Sequence, residues 1–272
     1  MTKDSDKKIA LIAGALDLPL LTRDALRHHG WEVFVIGIKN FYDPKLKPDL
    51  VVRIGGGGRA ARELKKHGIR KLTFVGALGH VNLSDIRPDL WSLSVLISVL
   101  KHQRGYDSMA VAFTKALEKR GFDVMSAQDL APELTFEKSG IQTKTKPSKS
   151  DMRNIDRAIQ VSHTIGAEDI GASVVVDNQV IAVEAAEGTA RMLDRVVEMR
   201  KNHKKIGGVF AKMTKPGQDL RIDIPAIGVD TVRAVAAAKL RGIIVNAKTC
   251  FVINRDEVIA AANKAKIFIM AI

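Results

Sequence analysis

The chain of 272 residues is poor in several things, and each shortage removes a class of function. It has one cysteine, Cys250, so no disulfide can form within the chain and no Cys-rich zinc site can be built. That usage predicts a reducing, cytoplasmic setting. Aromatics are scarce, with nine Phe, two Trp and two Tyr, which argues against stacking platforms for single-stranded nucleic acid. No nucleic-acid-binding motif is present. The seven histidines form no His-x-x-x-His or Glu-x-x-His set. His80, in a loop after an apolar run, is the one singled out. Long apolar runs are missing too. The most apolar stretch, "LWSLSVLISVL" (Leu90 to Leu100), is about half of the roughly 20 residues that a bilayer requires. The first apolar run is broken by Asp17 and Pro19, which makes a poor signal peptide.

What the chain has in excess is positive charge. The formal net charge is +13, which favours anionic partners such as phosphates, nucleic acid or an acidic membrane surface. Hydrophobic residues make up 46%, ordinary for a folded domain. The length suits one large domain or two modest ones, either able to bury a core.

Apolar runs alternate with helical spacing through the first half. "KIALIAG", "WEVFVIGI", "LVVRIGGGG" and "KLTFVGALG" read as strands, and "LPLLTRDALRHHG" and "RAARELKKHG" as helices between them. The pattern predicts a Rossmann-like parallel sheet covered by helices. Helical patterns then run from Pro88 to Gln103 and from Tyr106 to Arg120, and "GFDVMSAQDL" reads as a final strand. From Glu137 the chain turns polar and Lys-rich. The predicted organisation is an N-terminal domain over 1–138, a linker over 139–150 and a separate α/β domain over 151–272. Ser150 is the expected cap of the next helix, with Asp151 in its first turn. Two Val-rich runs flanking "DNQ" predict a hairpin. Alternating strands and helices follow to the closing "IFIMAI".

Three stretches carry candidate chemistry. Gly14 and Ala15 follow the first strand, where backbone N–H groups can hold a phosphate, although the full glycine fingerprint of dinucleotide loops is missing. That gap argues against a nicotinamide-linked oxidoreductase. Gly55 to Gly58 also follow a strand and open a helix, either as a ligand loop or as a flexible turn. In "VEAAEGTARML", Glu187 stands at a helix start, either as a ligand to a metal ion or as a simple cap, and Thr189 is a second expected cap. In "KPGQDLRIDIPAIG", Leu220, Ile222 and Ile224 alternate as in a short strand whose other face carries Asp219, Arg221 and Asp223. Carboxylates there suit Mg²⁺ or Mn²⁺, and Lys212, Lys215 and Arg221 suit phosphoryl oxygens. Cys250 reads as a small buried residue rather than a nucleophile.

Through "LIAGALDLP", "RPDL", "APEL", "VEAAEGTARML" and "KPGQDLRIDIPAIGVDTV", the chain resembles the UDP-2,3-diacylglucosamine pyrophosphatases of lipid A biosynthesis, the type distinct from the calcineurin-like enzyme. The resemblance runs along nearly the whole chain, and Lys215 to Gly228 is its most specific part. It implies a Rossmann-like N-terminal domain, a distinct C-terminal α/β domain and a homodimer. It also implies Mg²⁺- or Mn²⁺-dependent hydrolysis of the lipid-linked UDP-sugar to UMP and 2,3-diacylglucosamine 1-phosphate (lipid X). The family's essential aspartate falls on Asp223. Asp219 and Glu187 become candidate further metal ligands, and Arg221, Lys215 and Gln218 candidate catalytic partners. Gly14, Ala15, Gly55, Gly56, Gly76, Thr189 and Lys212 are the candidate substrate contacts. A cytoplasmic enzyme held at the anionic inner leaflet accounts for the basic charge; the rival is a non-catalytic nucleotide- or nucleic-acid-binding protein. The chain departs from the family pattern at Ala190, where an aspartate is usual, at Ala15 and Leu16, and at Asn246 and Lys248.

Overall fold

A computed structural model of the chain describes residues 7–78, 86–102 and 106–272. His80 lies outside the described residues. The chain divides into two compact units, one formed by Met1–Ala131 with Asp219–Asp223, the other by Pro132–Gln218 with Ile224–Ile272.

The first unit is built on β1 (Lys8–Ala13), β2 (Glu32–Ile38), β3 (Leu50–Val52), β4 (Lys71–Val75) and β5 (Asp123–Val124). All are parallel, in the order β3-β2-β1-β4-β5. The order reverses direction at β1, as in doubly wound sheets. Side chains alternate across the sheet. Ala10, Ile36, Val52 and Leu72 form one face with Ala61 and Leu64 of α2 (Gly57–Lys66) and Leu117 of α4 (Tyr106–Glu118). Ile9, Leu11, Val33 and Val35 are buried at the alternate positions. Leu26 of α1 (Leu18–His28) is also buried. A fully buried Leu contributes about 2 kcal/mol, so the pattern read from the apolar runs is also what holds the unit together. α3 (Leu90–His102) and α5 (Ala127–Leu130) complete it. The stretch read as a final strand therefore divides, Asp123–Val124 as β5 and Ala127–Leu130 as a helix.

The second unit has a mixed sheet in the order β6-β13-β11-β9-β7-β8. Its strands are β6 (Gly140–Ile141), β7 (Ala172–Val176), β8 (Gln179–Val183), β9 (Val209–Lys212), β11 (Gly242–Val245) and β13 (Phe268–Ala271). β9, β11 and β13 are parallel, while β6, β7 and β8 join antiparallel. A separate short pair is made by β10 (Ala226–Ile227) and β12 (Phe251–Val252). Val174, Phe210 and Ile243 share a core with α7 (Gly188–Met199), α8 (Val229–Ala237) and α9 (Arg255–Lys264). The alternate positions Val175, Val209, Ala211 and Ile244 pack on Ile155 and Ala158 of α6 (Lys149–Gly166).

The polar segment 139–150 contributes β6 to the sheet edge and the first residues of α6. The cap of α6 is Ser148, not Ser150. Its hydroxyl accepts the Asp151 N–H while the Asp151 carboxylate accepts the Ser148 N–H, a reciprocal box that satisfies two end groups. Asp177 and Asn178 both take positive φ in the β7–β8 turn, the backbone that a two-residue hairpin requires. Among the described residues, no helix is long and apolar enough to cross a membrane.

Candidate active site

The segment that opens the site is not a strand. Residues 215–225 form turns, because two features outweigh the apolar alternation. Pro216 and Gly217 make a turn in which Gly217 has φ +75° and the Gln218 N–H reaches the Lys215 carbonyl at 3.2 Å. Then the N–H groups of Ile222 and Asp223 both turn back to the Asp219 carbonyl at 3.1 Å. Leu220 and Ile222 therefore never line up as a strand face.

Within the first unit, Asp219–Asp223 is locked by charge. Arg221 grips the Asp219 carboxylate in bidentate fashion, Nε to Oδ1 at 2.8 Å and Nη2 to Oδ2 at 2.7 Å. Its remaining nitrogen donates to Glu118 of α4 at 2.5 Å. Gln128 of α5 donates to the Leu220 carbonyl at 3.2 Å. The hydrogen bonds from Arg221 hold the Asp219 carboxyl below its usual range against the opposing effect of burial, and Asp219 in turn raises the Arg221 guanidinium. Asp219 and Arg221 are committed to each other, and Asp223 is an exposed residue at the end of the turn.

Within the second unit, Lys212 ends β9 and donates to the Thr189 hydroxyl at 2.5 Å. The Thr189 hydroxyl in turn donates a hydrogen bond to Glu184 Oε1 at 2.8 Å. The relay joins the end of β8, the first turn of α7 and the end of β9. Thr189 is thus not the cap of α7; Glu187 holds that position, without a side-chain cap bond. The Glu187 carboxylate accepts from Arg195 at 2.5 Å. Its own backbone N–H first, then Arg195, hold it below the usual range. Ala190 is exposed on the same first turn. Lys215 forms an ion pair with Asp169, and its N–H is accepted by the Gln218 amide oxygen at 2.8 Å. Sequence reasoning missed the part played by Asn246. Its amide oxygen accepts from both the N–H and the hydroxyl of Thr214, at 2.8 and 3.0 Å, and so fixes the start of the Lys215 loop. A lone amide directly after a buried strand was the available signal.

The glycine loops are held by backbone hydrogen bonds and close packing. The Gly14 N–H bonds the Val75 carbonyl and the Ala15 N–H the Ala77 carbonyl, both at 2.8 Å, so neither is available for phosphate. Gly76, exposed with φ +96°, belongs to the same junction. Gly55 to Gly58 seat the start of α3. A Cβ on Gly57 would lie 2.7 Å from the Trp91 ring, and one on Gly58 2.6 Å from the Asp89 carboxylate. Gly55 itself has φ +90°, and Gly56 turns its N–H to the Arg53 carbonyl. The loop is closely packed against the start of α3. Cys250 is fully buried, and burial pushes its thiol up to about 12 against the nearby Lys212, which excludes it as a nucleophile.

Among the described residues, no three His, Cys, Asp or Glu side chains gather as a metal cage. Glu187 and Asp219 are each paired with an arginine.

Two family descriptions match the chain in order, the LpxI N-terminal domain over residues 8–134 and the LpxI C-terminal domain over residues 138–270. The UDP-2,3-diacylglucosamine pyrophosphatase LpxI of Caulobacter vibrioides is 34% identical over 274 aligned positions, covering 98% of this chain and 98% of that one. Matched in both domains and from end to end, the chain belongs to the LpxI family.

Proposed function

We propose that the chain hydrolyses UDP-2,3-diacylglucosamine to UMP and 2,3-diacylglucosamine 1-phosphate. The observation that carries this is the end-to-end match to a protein named for that activity. Water adds to the phosphorus on the sugar side, the bond from that phosphorus to the bridging oxygen breaks, and the bridging oxygen leaves with UMP. Asp223 is the residue that orients this water and takes its proton. The reading is supported by its exposure at the end of a turn held rigid through Asp219, Arg221 and Glu118. Lys212, with its direction set by Thr189 and Glu184, and Lys215, steadied by Gln218 and Asp169, supply positive charge for phosphate oxygens.

Mg²⁺ commonly sits on one or two carboxylates plus substrate phosphates. We propose that Mg²⁺ or Mn²⁺ is held in this way, with Asp223 as its carboxylate and Asp219 and Glu187 as the further candidates. When bound, the ion supplies charge neutralisation on the diphosphate. The enzyme is proposed to work as a homodimer on the cytoplasmic face of the inner membrane.

The test is UMP release from UDP-2,3-diacylglucosamine with Mg²⁺ or Mn²⁺, beside Asp223→Ala and a chelated sample. Asp223→Ala is expected to lose about 10²–10⁴-fold in rate, the range for removing a positioned proton acceptor, with an unchanged melting curve. Chelation is expected to stop release. Folded protein that releases no UMP with either ion would end the hydrolase reading, and full activity after chelation would end the metal reading alone.

A further inference from the structure

We propose that the outer face of α3, with the arginines around its first turn, is the surface by which the protein docks on an anionic phospholipid bilayer. The helix carries no charged residue from Leu90 to Leu100. Leu90, Leu93 and Ile97 are 89%, 40% and 45% exposed, and their spacing places them along one stripe. The inner side is already occupied. Trp91 packs on Phe113 at 5.4 Å between ring centroids, and the Ser92 hydroxyl accepts the Gly57 N–H at 3.2 Å. An exposed helical face that is apolar over two turns marks an interaction surface.

The charge beside it selects the partner. The first turn of α3 is pinned to the end of β3 and the start of α2. The Asp89 N–H reaches the Gly55 carbonyl at 2.9 Å, the Arg87 N–H the Ile54 carbonyl at 3.2 Å, and the Arg59 N–H the Asp89 carboxylate at 3.0 Å. Those bonds bring the exposed Arg53, Arg59 and Arg87 to the head of the stripe. Arg120 stacks on Trp91, 4.4 Å from the ring centroid. Asp89, which lies between them, is taken up by the N–H groups of Arg59 and Ser92. Two more exposed leucines, Leu16 (64%) and Leu78 (38%), flank the Ala15–Ala77 bridge just after β1 and β4. In a parallel sheet, the ends of β1, β3 and β4 lie on one edge. Apolar side chains collared by arginine are what an acidic bilayer accepts, apolar groups entering the acyl boundary and guanidinium groups meeting lipid phosphates.

The inference deepens the function proposed above, whose substrate carries acyl chains, but its test does not use that substrate. Full-length protein is sedimented with vesicles of phosphatidylglycerol and phosphatidylethanolamine, and with neutral phosphatidylcholine vesicles. The wild type is expected to bind the anionic vesicles and to leave the neutral ones. Leu93→Glu/Ile97→Glu and Arg59→Glu/Arg87→Glu are each expected to weaken binding by about tenfold or more. Leu90→Glu, at a site too exposed to affect folding, is the second variant and is expected to weaken binding in the same direction. No binding to anionic vesicles, or variants that bind like the wild type, would overturn the proposal. So would a change from dimer to monomer in the Leu93→Glu/Ile97→Glu protein by sedimentation equilibrium, which would assign the stripe to a second copy of the chain. UMP release from detergent-dispersed substrate, measured in parallel, separates the two readings. A wild type that binds vesicles without releasing UMP loses the hydrolase assignment and keeps this surface.

Discussion

Asp219 and Arg221 stand two residues apart, and both were legible from sequence as candidate site residues. Their commitment to each other was not, because it depends on a turn that folds the guanidinium back onto the carboxylate. The planar fork of arginine matches two carboxylate oxygens at once, which an ammonium cannot do. Arg221→Ala is therefore expected to destabilise the protein by about 1–3 kcal/mol, the scale for hydrogen bonds to charged groups. Arg221→Lys should recover little of it, because a single donor cannot hold Asp219 and Glu118 together. Urea unfolding of the three proteins checks this, and a lysine variant as stable as the wild type would show that the fork is not what matters. At Cys250 the expectation is chemical silence. A thiol raised by burial to about 12 should not react with a disulfide reagent until the protein unfolds.

Elements were read best where apolar periodicity and packing agree. β1, β2, β4 and β13 lie where the apolar runs predict them, since buried parallel strands are short continuous apolar stretches. The failures are local. Leu220, Ile222 and Ile224 mimic a strand in sequence, but Pro216, Gly217 and the return of two N–H groups to Asp219 fold the segment first. Ser148 takes the α6 cap from Ser150, because only at that spacing can Asp151 answer it. Another dependence between elements is hidden in Gly242. It pairs with Phe268 across β11 and β13, and an ideal Cβ there would lie 2.1 Å from the Phe268 ring. Gly242→Ala should lower stability by about 1–3 kcal/mol through overpacking. Gly207, with nothing within 4 Å of an added Cβ, is the control, and Gly207→Ala should change little. Equal melting temperatures for the two variants would show that the ring moves aside freely.

At the scale of the molecule, alternation of strands and helices gave away two α/β parts, and the main division of the chain falls at Ala131–Pro132. Hidden from sequence was the return of Asp219–Asp223 to the first unit, since a five-residue excursion carries no compositional mark. That excursion has a consequence for acid stability. Asp219, Asp89 and Glu63 all have carboxyls held below their usual range, and all belong to the first unit. Arg221 is the main cause at Asp219. Burial would raise Asp89, but N–H donors from Ser92 and Arg59 outweigh it, and a hydrogen bond from Lys66 acts at Glu63. A carboxyl with a depressed pKa in the folded state stabilises above its unfolded value, about 4, and that contribution is lost as pH falls through the folded value. In the second unit, Glu187 alone among the described residues has a resolved carboxyl shift of this kind. Both tryptophans, Trp31 and Trp91, lie in the first unit, so tryptophan emission reports on it selectively. Between pH 7 and 5 the urea midpoint followed by emission should stay level. Below about pH 4 it should fall, and earlier than the midpoint followed by far-ultraviolet circular dichroism, which sees both units. Asp219→Asn should start less stable at pH 7 and fall less steeply in acid. An emission midpoint that stays level to pH 3, or an Asp219→Asn protein with the wild-type acid slope, would remove these carboxylates as the source of acid lability.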